Sequence, residues 1–191
     1  MSKLETNTID TVSGTTNLTI GSTNTSTITV PNGALTGQNY PAFFARLDGS
    51  QAVSDNTNTK VTINEEYFDT DNCFDHQTNF RFLPNVAGKY YIYGQIWLDA
   101  NVNANNLNQG TTMIYKNGNI LSINRLDFRN TYGGRFQTIT TSFIDSANGS
   151  TDYYELFGNV NAQSTTTGLG FYATSLNTQG YTTFGAYRIG T

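Results

Sequence analysis

One cysteine, Cys73, and one histidine, His76, serve the whole 191-residue chain. A lone thiol excludes an intramolecular disulfide and a four-thiolate zinc site within one chain. A lone imidazole excludes a histidine pair and a His-based metal cluster within one chain. Charge is also scarce, at 13% of residues with a net value of −4, and the ten Lys and Arg fall singly. No basic stripe is available to neutralise phosphates, so nucleic acid is not an expected partner. No run approaches the roughly 20 apolar residues that cross a bilayer, and no membrane partner is expected. The polar residues after Met1 lack the apolar stretch of a secretory leader, which predicts synthesis in a cytosol.

What the chain does have is 37% hydrophobic residues, 25 aromatics (12 Tyr, 12 Phe and one Trp) and 18 glycines. That composition matches a β-protein whose solvent positions are filled by Thr, Asn, Ser and Gln. The length suits one domain plus an appendage, and a domain of about 150 residues buries roughly 70% of its unfolded surface. A substantial core is therefore expected.

The composition changes near Gln38. All the aromatics lie from Tyr40 onward, and no charged residue stands between Asp10 and Arg46. Residues 1–38 read as an extended N-terminal arm and residues 39–191 as the head domain. In the arm, Leu18-x-Ile20 and Ile28-x-Val30 repeat one short strand pattern at period two. Seven aliphatics in thirty residues cannot make a core, and an isolated two-stranded ribbon is marginal in water. Leu18, Ile20, Ile28 and Val30 are accordingly expected to dock on another chain.

Past Tyr40 the pattern is short strands parted by turn signals, with no helix. Ten strands are expected: 42–47, 60–63, 79–82, 89–99, 112–116, 120–128, 135–145, 153–161, 168–172 and 181–189. Asn117-Gly118 predicts a tight hairpin turn. Along 89–99, Tyr90, Ile92, Gly94, Ile96 and Leu98 share one face, while Tyr91, Tyr93, Gln95 and Trp97 share the other. An antiparallel sheet usually leaves one face solvated, and a second face rich in aromatics marks an interface. Tyr91, Tyr93, Trp97, Phe184 and Tyr187 are therefore expected at a contact between copies.

Phe82 followed at fixed spacing by Gly88-x-Tyr90-x-Ile92, with Pro41-Ala42-Phe43-Phe44-Ala45 upstream and Thr183-Phe184-Gly185-Ala186-Tyr187 near the end, resembles the domain shared by tumour necrosis factor and the complement globular heads. Ile92 stands where that pattern has an aromatic, and so does Gly94. The resemblance implies an all-β, ten-stranded jelly-roll sandwich that is homotrimeric. The Thr-rich arm, Asn17-Leu18-Thr19-Ile20-Gly21 running on to Ile28-Thr29-Val30-Pro31-Asn32-Gly33, resembles arms that precede such domains in structural proteins of tailed bacteriophages.

Catalysis is not expected, because no nucleophile, acid and base are grouped and His76 reads as a turn residue. Asp69, Asp71 and Asp75 put oxygen donors in one loop, a weak calcium candidate. They lack the central Gly and distal Glu of a helix-loop-helix site, and turn chemistry accounts for them equally. No cofactor is expected. Cys73 reads as a small core residue. These readings converge on a virion structural protein, assembled in the host cytoplasm, that decorates or cements a capsid as a trimer. Its arm would dock on the major capsid protein or another virion protein by adding strands. The alternative is a tail-fibre tip that contacts host surface glycans or proteins, its receptor, through loops such as 101–109 and 131–134.

Overall fold

Large apolar and polar side chains alternate through most of the head sequence, and that period-two text folds as strand. The computed structural model of the chain describes residues 41–101, 106–128, 134–173 and 181–190. These fall within one compact unit, Gly37–Thr191. The arm residues Leu18, Ile20, Ile28 and Val30 lie outside the described residues.

Thirteen strands and no helix are found among the described residues. They are β1 (Ala42–Arg46), β2 (Gln51–Ala52), β3 (Thr59–Lys60), β4 (Glu65–Asp69), β5 (Phe74–Asp75), β6 (Arg81–Phe82), β7 (Gly88–Asp99), β8 (Leu107–Lys116), β9 (Asn119–Asp127), β10 (Phe136–Ala147), β11 (Tyr154–Ala162), β12 (Gly170–Phe171) and β13 (Thr183–Gly190). Each of the ten expected strands overlaps one of these. The count of ten is corrected by three stretches, β2, β4 and β5, whose residues show no clean alternation.

Two antiparallel sheets face each other. The first runs β4-β1-β13-β7-β10, with β12 continuing beside β7 where β13 stops and β2 flanking β12. The second runs β5-β6-β11-β8-β9, with β3 also on β11. Asn117 and Gly118 join β8 to β9 with φ of 51° and 79°, the left-handed pair that a tight hairpin requires.

The core lies between the sheets. Phe43 is fully buried, and its ring stacks 4.4 Å from Phe74 and 4.8 Å from Phe82, with Phe184 edge-on at 5.2 Å. Tyr90, Ile92, Ile96 and Leu98 of β7 point into the same core, as their parity predicts. Gly94 occurs among them because a Cβ there would meet Leu156 Cδ1 at 2.5 Å. At one corner the sandwich is closed by side chains. Asn124 Nδ2 donates to Thr140 O at 2.7 Å, Ser122 Oγ to Ser142 O at 3.3 Å, and Thr112 Oγ1 to Ile139 O at 3.1 Å. These donors satisfy carbonyls of β10 from the opposite sheet.

Candidate functional site

The candidate site is the outer face of the first sheet, and strand register lays it out as rows. Ala42, Tyr187, Tyr91 and Ile144 are successive cross-strand partners in the first row. The second is Phe44, Gly185, Tyr93 and Ser142; the third is Arg46, Thr183, Gln95 and Thr140. In the second row Gly185 carries no side chain and Tyr93 lies across it, since a Cβ on Gly185 would sit 2.5 Å from the Tyr93 ring.

The rings on this face touch one another. Phe44 is 6.3 Å from Tyr93, Tyr93 is 5.6 Å from Tyr91, and Tyr91 is 5.6 Å from Tyr187. Edge strand β4 extends the band by an irregularity: Phe44 pairs with Phe68 and Ala45 with Glu66, which leaves Tyr67 as an extra residue. The bulge turns two consecutive aromatics toward Phe44, with Tyr67 stacked at 5.2 Å and Phe68 at 6.5 Å. Tyr67, Phe68, Tyr187, Ile189 and Ile144 remain between 40% and 56% exposed. Between this band and β9–β10 runs a groove of about 660 Å³, walled by Phe44, Tyr91 and Tyr93 on one side and Ser122, Asn124 and Ser142 on the other. Among the described residues, no charged side chain lines it. Burial raises the Tyr93 hydroxyl above its ordinary range, helped by the neighbouring Tyr187 and Tyr91, so that phenol stays neutral.

The expected interface residues divide. Tyr91, Tyr93 and Tyr187 share the outer face as foreseen. Phe184 does not: it is fully buried against Phe43 and Phe74, because it sits one position out of phase with Tyr187 on β13. Its place at a contact between copies is corrected to the core. Trp97 is on the outer face, partly exposed, and its ring packs against Tyr181 at 4.0 Å, Tyr172 at 4.8 Å and Phe136 at 5.0 Å, all from its own chain. Phe44, Tyr67 and Phe68 were missed from sequence. The adjacent pair Tyr67-Phe68 was the available signal, an interruption of alternation by two large rings.

The acidic loop behaves as turn chemistry. Asp69 accepts from the Phe74 N–H at 2.7 Å and the Asp71 N–H at 3.3 Å. Asp75 accepts from the N–H groups of Thr78, Gln77 and Asn79. Among the described residues, no three such side chains converge in a metal-binding group. His76 pairs with Glu66, Nδ1 to Oε1 2.6 Å, rather than with its neighbour Asp75. Cys73 is buried, and burial pushes its thiol up to about 11, consistent with a packing role.

The Asp75 turn gives a pH prediction. The Thr78 N–H, then the Asn79 amide and the other turn N–H groups, hold its carboxyl at about 2, against an ordinary 3.8. A depressed carboxyl stabilises the fold above the unfolded value and loses that contribution as pH falls through the folded one. The thermal midpoint should therefore drop between pH 4 and 2, and an Asp75→Asn variant should show a shallower drop over that window. Identical slopes for the two proteins would refute the assignment.

A second polar cluster joins the sheets further along β8 and β10. Lys116 Nζ lies 2.6 Å from Asp145 and 3.3 Å from Asp152, and the buried Tyr154 hydroxyl donates to Asp145 Oδ2 at 2.7 Å. Burial works to lower the Lys116 ammonium, but its bonds to the two carboxylates outweigh that and raise it. It stays charged, a tie between β8 and β10 rather than a reactive amine.

No protein-family profile matches the chain, and no curated protein is significantly similar to it. Among solved structures, murine APRIL crystallised at pH 5.0 is 13% identical with a TM-score of 0.52, over 78% of this chain and 98% of that one. The same mouse protein at pH 8.0 gives 14% identity and a TM-score of 0.49 over the same shares. With two antiparallel sheets and no helix among the described residues, the chain has the fold of a tumour-necrosis-factor-like jelly roll.

Proposed function

We propose that the protein is a structural component of a tailed-phage virion, a homotrimer of jelly-roll heads that decorates the capsid and docks through residues 1–38. The observation that carries the assembly half of this reading is the ring-covered outer face of the first sheet. A face with Phe44, Tyr67, Phe68, Tyr91, Tyr93 and Tyr187 in mutual contact, and several of them half exposed, is larger and more apolar than a solvated sheet face needs to be. Aromatics of this kind are enriched where copies meet. The virion half rests on the arm, whose Leu18, Ile20, Ile28 and Val30 alternate in a Thr-rich text that resembles arms of phage structural proteins. Added as strands to a capsid subunit, they would bury their apolar side against it and use main-chain hydrogen bonds for affinity.

Immunogold labelling of the head on purified particles tests this reading. Many copies spread over the capsid are expected. A few copies confined to the tail would replace decoration by the receptor-binding alternative, and none on the particle would end both.

A further inference from the structure

The two ends of the outer face differ. The chain enters β1 at Ala42, in the row of Tyr187 and Tyr91. Strand β7 ends at Asp99, about 26 Å further along at the usual rise per strand residue. At this far end Trp97, Phe136, Tyr172 and Tyr181 form a second aromatic cluster, separated from the first by the polar row of Thr183 and Gln95. Besides the contacts of Trp97, Phe136 meets Tyr172 edge-on at 5.3 Å. All four rings stay partly exposed.

Beside the rings, Arg135 and Asp99 pair with each other. The Arg135 guanidinium lies 4.3 Å over the Phe136 ring and forks onto Asp99, Nε to Oδ1 2.8 Å and Nη2 to Oδ2 2.9 Å. Next to Tyr172 a concavity of about 240 Å³ opens between Ser50, Gln51, Gly168 and Gly170, with Asp99 in its wall. Gly170 is bare there because a Cβ would meet Gln51 O at 2.9 Å, which keeps the hollow open to main-chain groups. Packing alone would explain a cluster that hid its rings. It does not explain four partly exposed rings beside a hollow at the end remote from the chain's entry.

We propose that this far end is a binding site for neutral carbohydrate. A sugar ring offers an apolar C–H face, a rim of hydroxyls and no net charge. The cluster supplies aromatic rings for the first, Tyr172 and Tyr181 hydroxyls with the Asp99–Arg135 fork for the second, and, among the described residues, a charge pair closed on itself beside the third. The arrangement places the sugar on Tyr172 with its hydroxyls toward Asp99 and Arg135.

Trp97 is the chain's one tryptophan, so its emission reports on this cluster alone. The assembled full-length protein is titrated with chitotriose, maltotriose and lactose, with sialyllactose as the anionic comparison. At least one neutral sugar should shift the emission saturably; Tyr172→Ala should weaken that binding by about tenfold or more, and Tyr172→Phe by much less. Circular dichroism checks folding, and Arg135→Gln substitutes for Tyr172→Ala should the latter fail to fold. The site is overturned by silence with every neutral sugar up to about 10 mM, by binding of sialyllactose alone, or by wild-type affinity in a folded Tyr172→Ala or Arg135→Gln protein. Failure of the assembly reading would look different: a monomer in sedimentation whose Trp97 still responds to sugar.

Discussion

Phe68→Asp combined with Tyr187→Asp should convert the assembled protein into folded monomers. Both side chains are about half exposed in the isolated chain, so replacing them costs the monomer little of its own core. In a contact between copies they would be desolvated, and aromatic anchors of that sort lose about 2 kcal/mol or more each when removed. Two of them per contact amount to about a thousandfold in the dissociation constant, before the cost of burying an unpaired carboxylate is added. Sedimentation at micromolar concentration should show a trimer for the parent and a monomer for the variant, with matching near-ultraviolet circular dichroism. A parent that sediments as a monomer, or a variant that stays trimeric, would defeat the assembly reading.

Phe43→Ala should cost about 3–5 kcal/mol of folding stability. The ring is completely buried and meets Phe74, Phe82 and Phe184, residues drawn from both sheets, so its loss leaves a void at the junction that holds the sandwich together. Against a typical total of about 5–15 kcal/mol, that is a large share. Phe44→Ala, one residue on, removes a ring of the same size from the outer face instead. It should disturb assembly more than unfolding, and chemical denaturation of the two variants under dissociating conditions should separate them clearly. Equal losses would mean that the two faces of β1 are not as distinct as their burial indicates.

Much of this fold was legible in the text of the chain. The ten-residue alternation from Tyr90 to Asp99 assigned both faces of the central strand correctly, since period two admits one partition and β7 has no bulge to break it. Asn117-Gly118 announced its hairpin for an equally local reason, the ease with which that pair takes positive φ. The outer-face band was only half legible. Tyr91, Tyr93 and Tyr187 could be placed by parity, but Tyr67 and Phe68 share a face only because β4 gains a residue against β1, and a bulge is a property of pairing. Phe184 was expected at a contact between copies although parity on β13 sets it, with Ala186, on the side opposite Tyr187, and that side is the core. The far-end cluster was invisible for a different reason: Trp97, Phe136, Tyr172 and Tyr181 come from four separate segments and meet only through register.

The side chains that seal the corner between β9 and β10 bear on how the protein behaves when crowded. An open strand border invites a foreign backbone to continue the ladder, the usual route to fibrous deposits. Here Asn124 and Ser122 already occupy the Thr140 and Ser142 carbonyls of β10, so an incoming segment finds those oxygens taken. Self-recruitment through that border is thereby discouraged.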